Sequence, residues 1–453
     1  MIAIVGGGIA GLAAAYELSI RKIPFTLFEA STRLGGLVRT EHIGGFTIEA
    51  GADSMLAQKP AALDLCKALG LEAQLISPRD PKTAFVLHRG VLHPLPAPSM
   101  LGIPATWAGL ATYSLLPPLA RARIALEPLM PPRRGGGDES IASFFRRRFG
   151  AASVDLVAQP LLGGIHAGSI ERLSLPALFP RLAEAEAAAP RVLRWIQTTP
   201  RPSGGGAAFR SMESGMGELV DALQRHLPAA SIRCSTAVTS LTRSGRGWTI
   251  TTAEGPSQHS AVLLACPAHA AAPLLAALDS EAAALCAAVR YVSTVSVALA
   301  WPRAAVKHPL RGSGFVVARN SNATRITAAT WVSSKWAGRA PDGHVLLRAY
   351  VGGEHDASAV NQDDDALIYT AVRELSAILS ITGSPELARV YRWPNAGAQH
   401  EVGHLARMAA LETRLAALTG LFVTGSGFRS IGIPDCVADG RRVAAQAASG
   451  PAA

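Results

Sequence analysis

The hydrophobic pattern at the start of the chain predicts a strand, a turn, a helix and a second strand. Residues 2–5 form a continuous apolar run, as expected for a strand buried on both faces. After a glycine-rich turn, apolar residues recur at helical spacing over residues 12–18. A second apolar run, residues 25–28, ends on Glu29. This order of elements predicts the first unit of a parallel α/β domain.

Later hydrophobic runs predict two further groups of strands. Residues 231–241 and 248–252 predict a hairpin that turns at 244–247. Short buried runs at 261–267 and 421–425 predict a return to the opening domain. The remaining runs alternate or are continuously apolar, as in an antiparallel substrate-domain sheet, and they cover residues 84–87, 291–300, 313–318, 326–332 and 344–351. Residues 200–206, rich in proline and glycine, predict a linker.

The glycine-rich turn, Gly6 to Gly11, has the spacing of a dinucleotide-binding fingerprint in the required strand–turn–helix context. Gly6 permits the tight turn, Gly8 permits close approach of a pyrophosphate, and Gly11 permits close packing of the helix on the strand. The helix N-terminus offers free N–H groups to phosphates. Glu29 is placed to bind a ribose 2′-hydroxyl and would repel a 2′-phosphate.

Length and composition indicate a chain of two or three domains with a large core. It has 453 residues, of which 49% are hydrophobic and 17% charged, so long disordered segments are not expected. The net charge is +10, and most of the basic residues are arginine, which suits carboxylates and phosphates. Because no nucleic-acid module accompanies this charge, an acidic small molecule or an anionic membrane surface fits better than nucleic acid.

The five cysteines are scattered and lack metal-binding spacing, so we expect reduced thiols and no metal. The apolar N-terminus lacks the basic segment of a signal peptide. We therefore expect a cytoplasmic protein, and peripheral association with the cytoplasmic membrane stays open.

Residues 90–120 contain no Asp, Glu, Lys or Arg, and an arginine-rich stretch follows them. Pro104, Pro117 and Pro118 argue against a membrane-spanning helix, which needs about 20 uninterrupted apolar residues. Three interpretations remain open: a core-packed helical cap, an interfacial membrane surface, or the mouth of a hydrophobic substrate site.

The motifs resemble those of the flavin-dependent monoamine-oxidase superfamily, and within it the protoporphyrinogen oxidase family. The general signature is the opening glycine turn with Glu29, Arg33 and Gly35-Gly36. The narrower match spans nearly the whole chain, in residues 90–96, Glu139-Ser140, Phe144, Arg147, Gly150, 164–168, 173–175, Phe179-Pro180, 214–216, 402–404, 425–428 and 431–436.

The resemblance implies a Rossmann-type α/β FAD-binding domain that is discontinuous in sequence. An α+β substrate domain on a mixed or antiparallel sheet, and a helical cap, would be inserted into it. The implied boundaries are 1–78, 206–270 and 401–453 for the FAD-binding domain, 79–92 and 271–400 for the substrate domain, and 93–205 for the cap or membrane-contact region.

The resemblance also assigns site residues. Gly164 would position substrate through its carbonyl, with the flavin N5 as hydride acceptor, and Lys82, His166, Ser313 and Phe315 would contact substrate. The implied FAD contacts are Gly6, Gly7, Gly8, Ile9, Ala10, Gly11, Glu29, Arg33, Gly36, Leu37, Gly51, Ala52, Asp53, Ser54, Val238, Trp393, Ser426, Ile431, Gly432 and Ile433.

The implied activity is oxygen-dependent oxidation of protoporphyrinogen IX to protoporphyrin IX in haem biosynthesis. The implied partners are a membrane surface or another enzyme of the haem pathway, and the oligomeric state stays open. Three departures leave the substrate open: His400 replaces a tyrosine, Ser313 replaces an aromatic residue, and Ala84 replaces an arginine. The alternatives are coproporphyrinogen III, an amine or a polyene as substrate, or a flavin-binding scaffold without turnover.

Overall fold

Two large sheets carry the chain in this computed structural model, which describes residues 1–133, 135, 137–188, 191–199, 208–245, 247–318, 324–429 and 431–450. The strands are β1 Ile2–Val5, β2 Phe25–Phe28, β3 Thr40–Ile43, β4 Phe46–Glu49, β5 Met55–Leu56, β6 Leu75–Ile76, β7 Ala84–His88, β8 Val91–Pro94, β9 Ser99–Met100, β10 Ile103–Pro104, β11 Phe209–Met212, β12 Ile232–Arg233, β13 Ser240–Ser244, β14 Gly247–Thr252, β15 Gly255–His259, β16 Ala261–Leu264, β17 Tyr291–Pro302, β18 Gly314–Val317, β19 Ala328–Trp331, β20 His344–Gly352, β21 Leu387–Ala398 and β22 Leu421–Val423.

The α-helices are α1 Ile9–Ile20, α2 Ala61–Ala68, α3 Trp107–Ala111, α4 Pro118–Ala125, α5 Ile141–Phe149, α6 Ala151–Ser153, α7 Gly164–His166, α8 Leu175–Leu178, α9 Pro180–Ala188, α10 Val192–Thr198, α11 Gly217–His226, α12 Ala268–Leu275, α13 Ser280–Ala287, α14 Val332–Lys335, α15 Asp364–Leu379, α16 His404–Ala416 and α17 Ile433–Ala448. A π-helical segment, Val154–Gly163, joins α6 to α7.

The first sheet is parallel, with strand order β12-β2-β1-β16-β22. Its registers pair Ile2 with both Phe25 and Ala261, and Val262 with Leu421. The central strands β1 and β16 are buried along their whole length because packed elements cover both faces. The strands come from three distant parts of the chain, so the discontinuous Rossmann-type fold is confirmed, while the domain boundaries stay a prediction.

The second sheet has seven strands in the order β21-β17-β20-β19-β18-β7-β8. Only the pairing of β18 with β7 is parallel, so the predicted mixed sheet is present. Strand alternation gives the sheet two different faces. One face packs on α15 through apolar side chains, and the other turns Ser296 and Arg348 toward the backbone of residues 49–51.

The hairpin predicted over residues 231–241 and 248–252 is only partly correct. Ile232–Arg233 instead joins the parallel sheet beside β2, where Glu29 N–H donates to the Arg233 carbonyl. The hairpin itself consists of β13 and β14, and β15 extends it. The linker predicted at 200–206 lies outside the described residues.

The cap between Trp107 and Thr198 is mainly helical, as predicted. The residues that lead into the cap are not helical. Within the uncharged run 90–120, the chain first forms β8 and the small β9–β10 hairpin before α3 and α4 begin. The phenylalanines of α5 pack in its core. Among the described residues, no helix combines the length and apolarity that a bilayer crossing requires.

One fully buried ion pair fixes the cap. The Glu127 carboxylate contacts the Arg148 guanidinium, and both side chains have no exposed surface. Glu127 also accepts the N–H groups of Val192 (3.0 Å) and Leu193 (2.9 Å) at the start of α10. These bonds satisfy backbone donors that a helix N-terminus leaves without partners. The pair therefore links α5 to α10.

We predict that Glu127→Gln destabilises the cap because it removes the fully buried counter-ion of Arg148 and leaves Glu186, 3.5 Å away, to balance that charge. The expected cost is about 3–5 kcal/mol in the free energy of unfolding. Thermal denaturation and limited proteolysis of the cap would measure it. Glu171→Gln is the matched control, since Glu171 pairs with Arg146 at the exposed surface and should cost less than about 1 kcal/mol. Equal effects of the two substitutions would contradict the role given to Glu127.

Candidate cofactor and substrate site

A cavity of about 530 Å³ lies at the carboxyl edge of the parallel sheet. Residues following β1, β2, β16 and β22 line it, among them Gly6, Glu29, Cys266 and Gly425. In open α/β sheets, ligands bind outside the carboxyl ends of the strands. The fold therefore places this cavity where a dinucleotide is expected.

The glycine turn shapes one wall of the cavity. A Cβ added to Gly8 would meet no atom within 4 Å, so the space beside Gly8 is open. A Cβ on Gly11 would instead lie 1.9 Å from the Gly6 carbonyl oxygen, which explains why α1 can approach β1 so closely. Gly8 is the N-cap of α1 and supplies no side chain to its N–H groups. The N-terminus of α1 can therefore receive a pyrophosphate.

The Glu29 carboxylate is held in a fixed orientation at the end of β2. One oxygen accepts the Gly7 N–H at 2.7 Å, and the other accepts the N–H and hydroxyl of Ser31, each at 2.7 Å. A carboxylate has about four acceptor positions, so it can still bind a ribose hydroxyl. The residue types and the open space at Gly8 thus fit the adenosine and pyrophosphate parts of FAD.

Another part of the cavity wall is formed by Ser426, Ile431 and Ile433 together with Trp393. The Trp393 indole N–H donates to the Ala50 carbonyl at 2.9 Å, which holds the ring against the cavity wall. The helix α17 begins at Ile433, so its positive N-terminal end lies at this wall. This environment favours a ring that becomes negatively charged on reduction.

The predicted cofactor residues separate into two sets. Those that line the cavity are Gly6, Gly8, Ile9, Ala10, Glu29, Gly36, Leu37, Ala52, Val238, Trp393, Ser426, Ile431 and Ile433. Those that do not line it are Gly7, Gly11, Arg33, Gly51, Asp53, Ser54 and Gly432. Direct contacts of both sets with FAD stay predictions.

Arg33 acts on the loop that carries Gly36 and Leu37. Its guanidinium donates to the carbonyls of Leu34 (3.0 Å) and Gly36 (2.6 Å). Burial, and then the nearby charge of Arg39, lower the pKa of Arg33. The side chain thus shapes the cavity wall from behind.

Asp53 belongs to a buried charge cluster between the two sheets. Its carboxylate accepts from Lys335 at 2.8 Å and lies 3.7 Å from Arg348. Burial would raise the pKa of Asp53, but these two cations lower it well below its ordinary value. Arg348 also donates to the carbonyls of Glu49 and Gly51.

Sequence reasoning missed Arg348, Lys335 and the cavity residues Tyr291 and His269. The signal for Arg348 was present, because a single arginine interrupts the apolar run of β20. Tyr291 accepts the Ala268 N–H at 2.8 Å and contacts His269 edge to face, with ring centroids 4.7 Å apart. Nothing in their sequence neighbourhood marks these two residues.

Two of the predicted substrate residues lie on one turn of the cap. The nearest atom to a Cβ added at Gly164 would be a Val316 methyl carbon at 3.7 Å, so the turn faces β18. The His166 ring packs edge to face on Phe179, and its buried Nδ1 has no hydrogen-bond partner among the described residues. Burial lowers the pKa of His166 to about 4, so it is neutral at physiological pH.

The predicted placement of Phe315 at the substrate wall is wrong. Phe315 is 3% exposed and packs with Val317 and Trp331 in the core beneath α15. Side chains alternate along a strand, so Val316 takes the face beside Gly164. Ser313 lies beside the strand start that follows Lys82, since Ser313 N–H donates to the Thr83 carbonyl at 2.8 Å.

Comparisons with known proteins agree with this arrangement. A family model described as flavin containing amine oxidoreductase matches residues 9–448. The chain is 35% identical to coproporphyrinogen III oxidase of Bacillus subtilis (strain 168), covering 98% of this chain and 97% of that protein. It is 30% identical to coproporphyrinogen III oxidase of Staphylococcus aureus (strain NCTC 8325 / PS 47), with 97% of each covered. A crystal structure from Exiguobacterium sp. 255-15, proposed to be a protoporphyrinogen oxidase, superposes with a TM-score of 0.88 at 31% identity over 98% of both chains.

We predict that Gly8→Val folds but loses FAD. The added Cβ meets no protein atom within 4 Å, and the side chain fills the space that the pyrophosphate needs. The purified variant should be colourless, with a thermal midpoint close to that of wild-type protein stripped of FAD, and absorbance at 450 nm would measure the flavin. Gly11→Val is the contrasting variant, because its Cβ collides with the Gly6 carbonyl and should prevent folding. Full flavin content in Gly8→Val would contradict this account of the cavity.

Proposed function

Because the chain belongs to the flavin-containing amine oxidoreductase family, we propose a reaction for this FAD-dependent oxidoreductase: oxidation of coproporphyrinogen III to coproporphyrin III by dioxygen. Protoporphyrinogen IX, oxidised to protoporphyrin IX, is the second candidate, since the sequence motifs resemble that family. Both reactions belong to haem biosynthesis.

The similarity to named relatives favours coproporphyrinogen III over protoporphyrinogen IX as the substrate. The relatives that cover nearly the whole chain at 35% and 30% identity are both named coproporphyrinogen III oxidases. Coproporphyrinogen III carries four propionates and protoporphyrinogen IX carries two. The net charge of +10, supplied mostly by arginine, suits the more anionic substrate.

The reaction removes six hydrogens in three two-electron steps. In each step a hydride leaves carbon, a proton is lost, and one dioxygen becomes hydrogen peroxide. Bound FAD supplies the redox chemistry through N5, and the protein supplies binding, orientation and electrostatics. The N-terminus of α1 and Glu29 would bind the pyrophosphate and the ribose. Gly164 would accept a pyrrole N–H through its carbonyl and thereby orient the ring.

The neutral state of His166 is consistent with a role at the substrate. A neutral imidazole can accept a hydrogen bond from a pyrrole N–H, whereas a charged one could only donate. Burial keeps the side chain neutral at any pH well above 4. His166 would therefore contact substrate by hydrogen bonding, without adding charge to an apolar site.

We further propose that the cap contacts an anionic membrane surface. Four large apolar side chains are exposed there: Trp107 (54%), Leu119 (87%), Leu126 (50%) and Leu129 (73%). They lie on α3, α4 and the turn that follows, a stretch that also carries Arg121 and Arg123, whose guanidinium groups donate to backbone carbonyls of the cap. Exposed apolar groups next to arginines are typical of interfacial surfaces.

We predict oxidation of both porphyrinogens, with a higher kcat/KM for coproporphyrinogen III. Porphyrin fluorescence and hydrogen peroxide release, recorded side by side for the two substrates, would measure the preference. A higher kcat/KM for protoporphyrinogen IX would reverse the choice of substrate. Turnover of a simple amine, with no activity on either porphyrinogen, would contradict the proposed reaction and indicate an amine oxidase. Flavin binding without any turnover would favour a flavin-binding scaffold.

We predict that the protein floats with anionic liposomes at low salt, and that added salt weakens the binding. Leu119→Ser with Leu129→Ser should abolish flotation without changing activity in solution, because both side chains are exposed. Tyr369→Ser, which removes an exposed apolar side chain of α15, is the control. Wild-type protein that stays in the soluble fraction would contradict membrane binding by the cap. A membrane-bound enzyme of the haem pathway would then be the partner to test.

A further inference from the structure

The segment Gln399–His404 lies between the two turns that form the proposed substrate and flavin walls. It connects the end of β21 with the start of α16. On one side is the cap turn Gly164–Gly168, and on the other is the turn Gly425–Phe428 after β22. Neighbouring residues of this segment therefore bind both turns.

His400 and His404 hold the turn at the flavin end. Their rings are stacked, with centroids 3.8 Å apart and planes inclined by 10°. The Nε2 atom of His400 lies 2.9 Å from the Ser426 carbonyl oxygen, and that of His404 lies 2.7 Å from the Phe428 carbonyl oxygen. A carbonyl oxygen only accepts hydrogen bonds, so each imidazole donates from Nε2. Ser426 itself lines the cofactor cavity.

Gln399 holds the turn at the substrate end. Its side-chain amide donates to the His166 carbonyl at 2.9 Å. A Cβ added to Gly168 would lie 2.1 Å from the Gln399 side-chain oxygen, so the amide packs directly on this turn. The turn begins at Gly164, the residue proposed to orient the substrate ring.

The cap also contacts the backbone of the same segment. Ser174 N–H donates to the His400 carbonyl at 2.9 Å. The Asp138 carboxylate accepts the Gly403 N–H at 2.7 Å and the Ser174 hydroxyl at 2.6 Å. These bonds prevent the segment from shifting independently of the cap.

We propose that Gln399 and His400 are positioning residues that fix the distance between the substrate turn, Gly164–Gly168, and the flavin wall at Ser426. The inference rests on the proposed function, because it assigns the substrate to the Gly164 turn. Hydride transfer depends steeply on this distance, since a 1 Å misplacement costs roughly a hundredfold in rate.

The electrostatic environment supports a fixed donor at His400. Burial, and then the neighbouring His404, lower the pKa of His400 to about 3. Burial also lowers the pKa of His404. His400 is therefore neutral at physiological pH, the lowered pKa of His404 favours its neutral form as well, and the Nε2–H of each ring donates to the carbonyl beside it.

His400→Phe tests the proposal because it keeps an aromatic ring beside His404 but removes the bond to Ser426. Anaerobic mixing with coproporphyrinogen III would give the rate of flavin reduction, normalised to bound FAD. We expect a decrease of about 10- to 100-fold, together with an altered visible circular dichroism spectrum of the resting flavin. His400→Gln places an amide donor near the Nε2 position and should restore the rate to within about threefold of wild type.

His404→Phe is the matched comparison, since it removes an equivalent buried bond to Phe428, which does not line the cavity, and it should slow flavin reduction less than His400→Phe does. Equal reduction rates per bound flavin in His400→Phe and wild type would overturn the proposal, as would failure of His400→Gln to restore the rate. If His400→Phe does not fold, Gln399→Met carries the same prediction at the substrate turn. Failure of wild-type flavin to be reduced would instead refute the proposed substrate.

Discussion

The close contact between α1 and β1 is the constraint on which the rest of the structure depends. It exists because Gly11 has no Cβ, which would otherwise lie 1.9 Å from the Gly6 carbonyl oxygen. The contact places the N-terminus of α1 at the carboxyl edge of the sheet and leaves the space beside Gly8 open. Distant segments of the chain then complete the cavity around that space and contribute, among others, Val238, Trp393 and Ser426.

A second constraint joins the two large sheets. Consecutive carbonyls at Glu49, Ala50 and Gly51 accept hydrogen bonds from side chains of the seven-stranded sheet. Asp53, two residues after Gly51, is paired with Lys335 and Arg348. Removing one partner of such a buried pair is costly, because the remaining charge is left in a low-dielectric environment. The stretch beside the cavity is therefore fixed from behind by the seven-stranded sheet.

The local parts of the site could be predicted from sequence, and the long-range parts could not. The unit from β1 to Glu29 was predictable because its turn, helix and strands are encoded within 29 consecutive residues. The resemblance assigned Asp53 to FAD, and the sequence could not show its pairing with Lys335 and Arg348, because both lie nearly 300 positions further along the chain. Phe315 was misplaced because resemblance gave its position in sequence, while strand alternation decided its face. Arg233 was assigned to a hairpin because only tertiary structure reveals its parallel pairing with Phe28.

The central claim is that porphyrinogen electrons pass to FAD bound in this cavity. An anaerobic titration of the purified protein with coproporphyrinogen III, followed at 450 nm, tests it most directly. Our account predicts stoichiometric bleaching of the flavin band together with the appearance of porphyrin absorbance, and recovery of the flavin band on admission of air with release of hydrogen peroxide. A flavin band that stays unchanged at saturating porphyrinogen, while dithionite still bleaches it, would contradict the account.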